Sequence, residues 1–151
     1  MSVVTRWKGR LTEHFSLEEY TVGLTYGTVY VTRESYLQAL MLEEFRRWLD
    51  RPMIVTSWYR TKAKNAEVGG VASSSHLRGT ATDWHTDIPV TEAKFLKYAR
   101  KWKKICEKHG VVGEAGLYTW GIHFGSSITY SKAFANWDSR SGKQKNNAFR
   151  I

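Results

Sequence analysis

Apolar positions recur along this chain with two different periods. From Thr32 to Asp50 the residues Leu37, Leu40, Met41, Phe45, Trp48 and Leu49 return at helical spacing, which predicts an amphipathic helix. A second run of this kind, Ala93, Leu96, Ala99, Trp102, Ile105 and Cys106, predicts a helix opened by Pro89 and Thr91, running to about His109 and stopped by Gly110. The other side of that helix carries Lys94, Lys97, Lys101, Lys104 and Lys108. In "HFSLEEY" Ser16 stands three residues before Glu19, the spacing of a capping box, so a short helix is expected to start there.

Elsewhere the pattern is that of strands. "RPMIVTSW" reads as a strand after Pro52, and "TATDWHTD" as a second one. "EAGLYTWGIHFG" reads as two strands joined by a tight turn at Thr119-Trp120-Gly121. Residues 61–75 are expected to form a loop with one helical turn, broken at Gly69-Gly70. The uneven alternation, with a hairpin near the end, predicts an α+β fold in which helices flank a small antiparallel sheet. One domain is expected over residues 1–151, with residues 131–151 as a polar, basic surface tail.

Composition narrows the classes of function. With 42% hydrophobic and 25% charged residues the chain is an ordinary globular one. No apolar run approaches the roughly 18 residues of a membrane span, and "MSVVTRWKGRLTEHF" lacks the pattern of a secretory signal. The single cysteine, Cys106, excludes an intramolecular disulfide and a cysteine-based zinc finger. Any metal must therefore be held by histidine and carboxylate. A net charge of +9 attracts polyanions, nucleic acid and anionic bacterial walls alike, and it is equally the mark of a merely solvated surface.

The stretch "SSSHLRGTATDWHTD", residues 73–87, concentrates metal-competent side chains. On a strand residues 81, 83 and 85 share a face, so Asp83 and His85 point the same way. Gly79 lets the chain fold back, which brings His76 to the same point. His123, on the second strand of the hairpin, is the third histidine within reach. Two histidines and one carboxylate with an open fourth position are the donor set of a catalytic zinc site. A buried structural histidine and a loop-capping aspartate would use the same residues, and spacing alone does not separate these readings. Tyr118 and Trp120 lie within a few residues of His123 and are expected to border a substrate groove, with a place in the core as the rival expectation.

The order of the motifs resembles that of the D-alanyl-D-alanine carboxypeptidase family of zinc peptidases, which includes VanX-type dipeptidases and many phage endolysins. Its S-G-Y-R, N-x-x-V-G-G and S-x-H-x-x-G-x-A-x-D patterns are similar to Ser57-Trp58-Tyr59-Arg60, to residues 65–70, and to residues 74–83. "HFSLEEY", "RPMIVTS" and the closing "GEAGLYTWGIHFG" extend the resemblance over about residues 11 to 126. It implies a fold shared with hedgehog signalling domains, and a zinc ion held by His76, Asp83 and His123. It also implies that Arg60 steadies the substrate carbonyl or the developing oxyanion, and that Ser74 hydrogen-bonds the substrate. Zinc in such a site acidifies water towards a pKa of about 7 and polarises the scissile carbonyl.

Two departures from the family pattern bear on proton transfer. The acidic residue that classical members carry three positions before the last histidine is Trp120 here, and the aspartate that many phage members carry two positions after it is Gly125. His85 and Glu114 are the candidates left for the general base. The expected function is a zinc peptidase that cuts stem or cross-link peptides of bacterial peptidoglycan. It is expected to be phage-encoded and held in the host cytoplasm until lysis, or carried in the virion. The alternative is a virion structural or wall-binding protein that keeps the fold with reduced or lost catalysis. Nucleic acid, bound through the lysine face, is the least favoured partner.

Overall fold

The computed structural model describes residues 7–127 and 133–151. The start of the expected tail, Ser131 and Lys132, and the first six residues of the chain lie outside the described residues. Among the described residues four α-helices and six strands follow one another as α1 (Leu17–Tyr20), α2 (Arg33–Leu49), β1 (Ile54–Ser57), α3 (Lys62–Glu67), β2 (Ala81–His85), α4 (Glu92–Lys108), β3 (Val112–Leu117), β4 (Ile122–Ser127), β5 (Ala135–Asp138) and β6 (Lys145–Asn146). A 3-10 turn, Ser75–Arg78, precedes β2. The helices begin where side-chain oxygens can take up orphan amides. Ser16 and Glu19 close a reciprocal capping box on α1, Thr32 and Ser35 do the same on α2, and Thr91 caps α4.

The strands form one sheet in the order β1-β2-β4-β3-β5-β6. Neighbours are antiparallel except β3 and β5, which run parallel. The α+β class is therefore as expected from the sequence, but the sheet is mixed. The difference lies in residues 133–151, where a surface tail was expected. That segment supplies β5 and β6, buries Asn136 and Trp137, and packs Phe149 on Phe95 at 5.0 Å between ring centroids. Its polar composition hides two aromatic anchors, Trp137 against His123 and Phe149 against Phe95, which dock the segment on the rest of the fold.

Strand alternation divides the sheet into two faces. Trp84, Ile122, Phe124, Ala115 and Leu117 are fully buried on the face that α2 and α4 cover. Trp102 stacks on Phe124 at 4.7 Å, and Phe45 meets Phe124 edge-on at 5.0 Å. The helix stripes are rotated from those expected. In α4 Ala93 is exposed and Leu96 only half-buried, while Phe95, Tyr98, Ala99, Trp102, Ile105 and Cys106 face inward. The two large aromatics claim the interior because they remove more apolar surface from water than the residues they displace. In α2 Leu40 and Trp48 are exposed and Gln38 is fully buried. Gln38 is tolerated there because Ser126 Oγ donates to its Oε1 at 2.6 Å and its Nε2 donates to Phe124 O at 3.1 Å. Lys97 and Lys101 of the basic face stand 5.6 Å from the exposed ring of Trp48. Among the described residues no helix is long and apolar enough to cross a membrane.

Candidate metal centre

The sheet face away from the helices carries the polar residues. Asp83 on β2 and His123 on β4 are direct cross-strand partners, so their side chains leave the sheet side by side. His76 reaches them from the 3-10 turn, which the backbone holds at several points. His76 O accepts from Arg60 N at 2.9 Å, Trp58 Nε1 donates to Gly79 O at 2.7 Å, and Ser74 Oγ accepts from His76 N at 3.2 Å. Gly79 closes the turn at φ +68°, and a Cβ there would fall 2.2 Å from Tyr20 Oη. Only glycine allows both this backbone conformation and this close approach.

The three side chains converge below the surface. His76 is 3% exposed, Asp83 7% and His123 8%. Asp83 Oδ2 lies 3.3 Å from His76 Nε2, and Asp83 Oδ1 lies 2.9 Å from His123 Nδ1. One ligand atom from each lies within 4.8 Å of the other two. His76 Nδ1 donates to Trp58 O at 2.6 Å, which turns Nε2 towards Asp83 Oδ2. Two imidazole nitrogens and a carboxylate oxygen, drawn together and buried, are a donor set that suits zinc.

Two further charged groups stand against this set. Arg60 is fixed by Ser57 Oγ at 3.1 Å from Nε and by Asn65 Oδ1 at 3.4 Å from Nη1, and its Nη2 reaches Asp83 Oδ2 at 3.4 Å. Glu114 Oε2 lies 3.1 Å from His123 Nε2, and Glu114 Oε1 accepts from Ser75 Oγ at 3.3 Å. Burial alone would push Asp83 and Glu114 upward. Hydrogen bonds from His123, and for Asp83 also from His76, outweigh that and hold both carboxyls below the usual range. For His123 burial disfavours the charged ring, but Asp83 and Glu114 outweigh it and raise its pKa to about 10 without metal. A metal at this site must therefore displace a proton.

The centre lies in the floor of a cleft of about 990 Å³. Arg60, Ser74, Glu114, Tyr118 and Trp120 also line it. Trp120 is 45% exposed and stacks on Tyr118 at 4.5 Å, so this pair forms a wall at the cleft and not part of the core. Ser74 faces the cleft but spends its oxygen as the cap of the 3-10 turn. His85 is half-buried at the end of β2, bonded through Nδ1 to Thr86 O at 3.1 Å, and does not line the cleft. Alternation puts it on the right face, but β2 carries it along the strand towards Ile54 and Gly121 and away from Asp83.

Three contributors escaped the sequence. Ser75 binds Glu114. Trp58 offers only a main-chain oxygen to His76, and no residue type signals that. Trp137 on β5 packs on His123 at 5.1 Å between ring centroids and donates from Nε1 to Tyr118 Oη at 3.0 Å. It lies in the segment that composition marks as a tail. Glu13, His14 and Glu43 also bring ligand atoms together, but Arg47 lies 3.0 Å from Glu13 Oε2 and 3.5 Å from Glu43 Oε2 and already supplies positive charge there.

A family model described as Peptidase M15 matches residues 13–134. No curated protein matches the chain.

Proposed function

Because the chain belongs to the peptidase M15 family, we propose that it is a zinc-dependent peptidase that hydrolyses stem or cross-link peptides of bacterial peptidoglycan. The observation that carries this reading is the convergence of His76 Nε2, Asp83 and His123 Nδ1 in the floor of an open cleft. These residues would hold the ion. When bound, zinc supplies Lewis acidity, which polarises the scissile carbonyl and acidifies water.

The chain's own groups account for the rest of the chemistry. Arg60 is pinned by Ser57, Asn65 and Asp83 at the edge of the ligand set, so its charge is already in place when negative charge grows on the carbonyl oxygen. Glu114 takes the proton of the attacking water and returns it to the leaving amine. It lines the cleft, and its Oε1 is bonded only to the Ser75 hydroxyl among the described residues. His85 is a poorer candidate for that role because it stands outside the cleft. The stacked Tyr118 and Trp120 offer a flat apolar wall for the substrate beside the metal ligands.

The net charge of +9 supports an anionic wall as the setting. The motif order, which resembles that of phage endolysins, supports a phage origin, as a lysis enzyme in the host cytoplasm or as a virion component. A virion or wall-binding protein without catalysis is the second reading. It is favoured by the absence of a carboxylate at positions 120 and 125, and opposed by the carboxylate that Glu114 brings to the cleft. Digestion of purified peptidoglycan, with zinc content measured on the same preparation, tests the proposal. We expect one zinc per chain and release of new amino groups from the wall peptides. Stoichiometric zinc with no hydrolysis of any wall type would favour the second reading.

A further inference from the structure

The geometry points to Glu114 as the positioning residue of the metal centre: it holds His123 through Nε2, and reaches it from the neighbouring strand through space that Gly125 leaves open. The inference rests on the zinc reading above but concerns a residue outside the ligand set. In the β3–β4 pairing Glu114 stands opposite Gly125, and His123 stands opposite Gly116. Glu114 is thus a diagonal neighbour of His123, within reach of a long side chain only if that side chain lies down across β4.

Gly125 allows this. Its φ is not positive, so nothing in the backbone conformation calls for glycine. What calls for it is space. A Cβ at residue 125 would fall 2.7 Å from Glu114 Cγ, 2.8 Å from Cδ and 2.9 Å from Oε1. With that volume free, the Glu114 carboxylate bridges two elements of the site. Oε2 meets His123 Nε2 at 3.1 Å, and Oε1 accepts from Ser75 Oγ, one residue before His76 in the 3-10 turn.

The consequence for His123 is a tautomer fixed for metal binding. Without metal His123 donates from both nitrogens, from Nδ1 to Asp83 at 2.9 Å and from Nε2 to Glu114; if a metal took the place of the Nδ1 proton, the bond to Glu114 would keep the remaining proton on Nε2 and leave the Nδ1 lone pair for the ion. A carboxylate behind a ligating histidine also makes the ring a better donor to a metal. His76 is oriented by a neutral acceptor, Trp58 O, so Glu114 is the only carboxylate among the described residues bonded to the far nitrogen of a ligand histidine. Holding His123 uses Oε2 and leaves Oε1 for proton transfer.

Zinc affinity, measured by competition with a chromogenic chelator on the full-length protein, tests the inference separately from hydrolysis. Glu114→Ala should weaken zinc binding by about 10–100-fold. Gly125→Ala should do the same although every ligand and every charge remains, because the added methyl displaces the Glu114 side chain. Glu114→Gln, which keeps the shape and loses the charge, should fall between wild type and Glu114→Ala. The double variant Glu114→Gly/Gly125→Asp should recover most of the loss, since a carboxylate rooted at 125 fills the volume the native one occupies. Melting temperatures of the metal-free proteins serve as the folding control. Wild-type affinity in Glu114→Ala and Gly125→Ala overturns the inference and leaves the peptidase reading standing. A loss that the double variant fails to restore also overturns it, by giving Gly125 a packing role. Absence of zinc binding in the wild type overturns the peptidase reading itself.

Discussion

His76 Nδ1 donates to the main-chain oxygen of Trp58 across 2.6 Å, and Trp58 Nε1 donates in turn to Gly79 O, three residues past that histidine. The turn that carries His76 of the candidate metal set is thereby tied to a fully buried indole. His76 is thus held in place by the protein alone, which would lower the ordering cost of binding an ion there.

Replacing His76 with Ala should remove most of the bound zinc and lower the melting temperature of the zinc-loaded protein. Elemental analysis beside a thermal melt reads both. Equal zinc content in the two proteins would sink the ligand assignment.

Replacing Trp120 with Ala should impair hydrolysis of wall peptides far more than it impairs folding. Trp120 is 45% exposed and, among the described residues, stacks only on Tyr118, so the stability loss should stay within about 1 kcal/mol. Denaturant titration and steady-state kinetics separate the effects. A large loss of stability with unchanged activity per folded molecule would return Trp120 to the core.

His85→Gln should leave both zinc content and hydrolysis unchanged, because His85 faces Thr86 O outside the cleft. A fall of about 10²–10⁴-fold in hydrolysis with zinc retained, the signature of losing a general base, would restore His85 to the mechanism in place of Glu114.

Gln38→Leu should cost about 1–3 kcal/mol of stability with little direct effect on the site. The apolar side chain fits the volume but leaves the Ser126 hydroxyl without its acceptor in a buried position. Equilibrium unfolding of the metal-free variant checks this, and unchanged stability would mean that the buried network contributes nothing net.

Acid should weaken the attachment of the N-terminal segment to α2 through Glu43. Burial opposes its ionisation, but the main-chain and side-chain hydrogen bonds from His14 outweigh this and lower its pKa below the ordinary 4.5. A carboxyl with a lowered folded pKa stabilises fully above its unfolded value, and that contribution disappears as pH falls through the folded one. Stability of the wild type should therefore decline below about pH 4.5, and Glu43→Gln should be less stable at pH 7 with a flatter acid limb. Parallel acid limbs in urea titrations from pH 7 to pH 3 would remove Glu43 from the account.

Much of this protein was legible in one dimension. Periodicity placed the long helices and the hairpin, because a buried face must repeat with the geometry of its element. Spacing placed Asp83 and His123 on strands and His76 in a glycine-closed turn. Local signals did not settle which way each helix rolls on the sheet, since Phe95 and Tyr98 competed with Ala93 and Leu96 for one interior and only packing decided it. Nor could they show that Gln38 is buried, because its partners Thr82, Phe124 and Ser126 are 44, 86 and 88 residues away. The same holds at the metal centre. The sequence marked His76, Asp83 and His123 as a candidate zinc set, through their chemistry and the order of the motifs that resemble the family's. Tertiary structure alone decided what surrounds them: strand register set Glu114 over Gly125 beside His123, β5 brought Trp137 to the same ring, and the course of β2 carried His85 away. Contacts across strands depend on register, and register is a property of the assembled sheet.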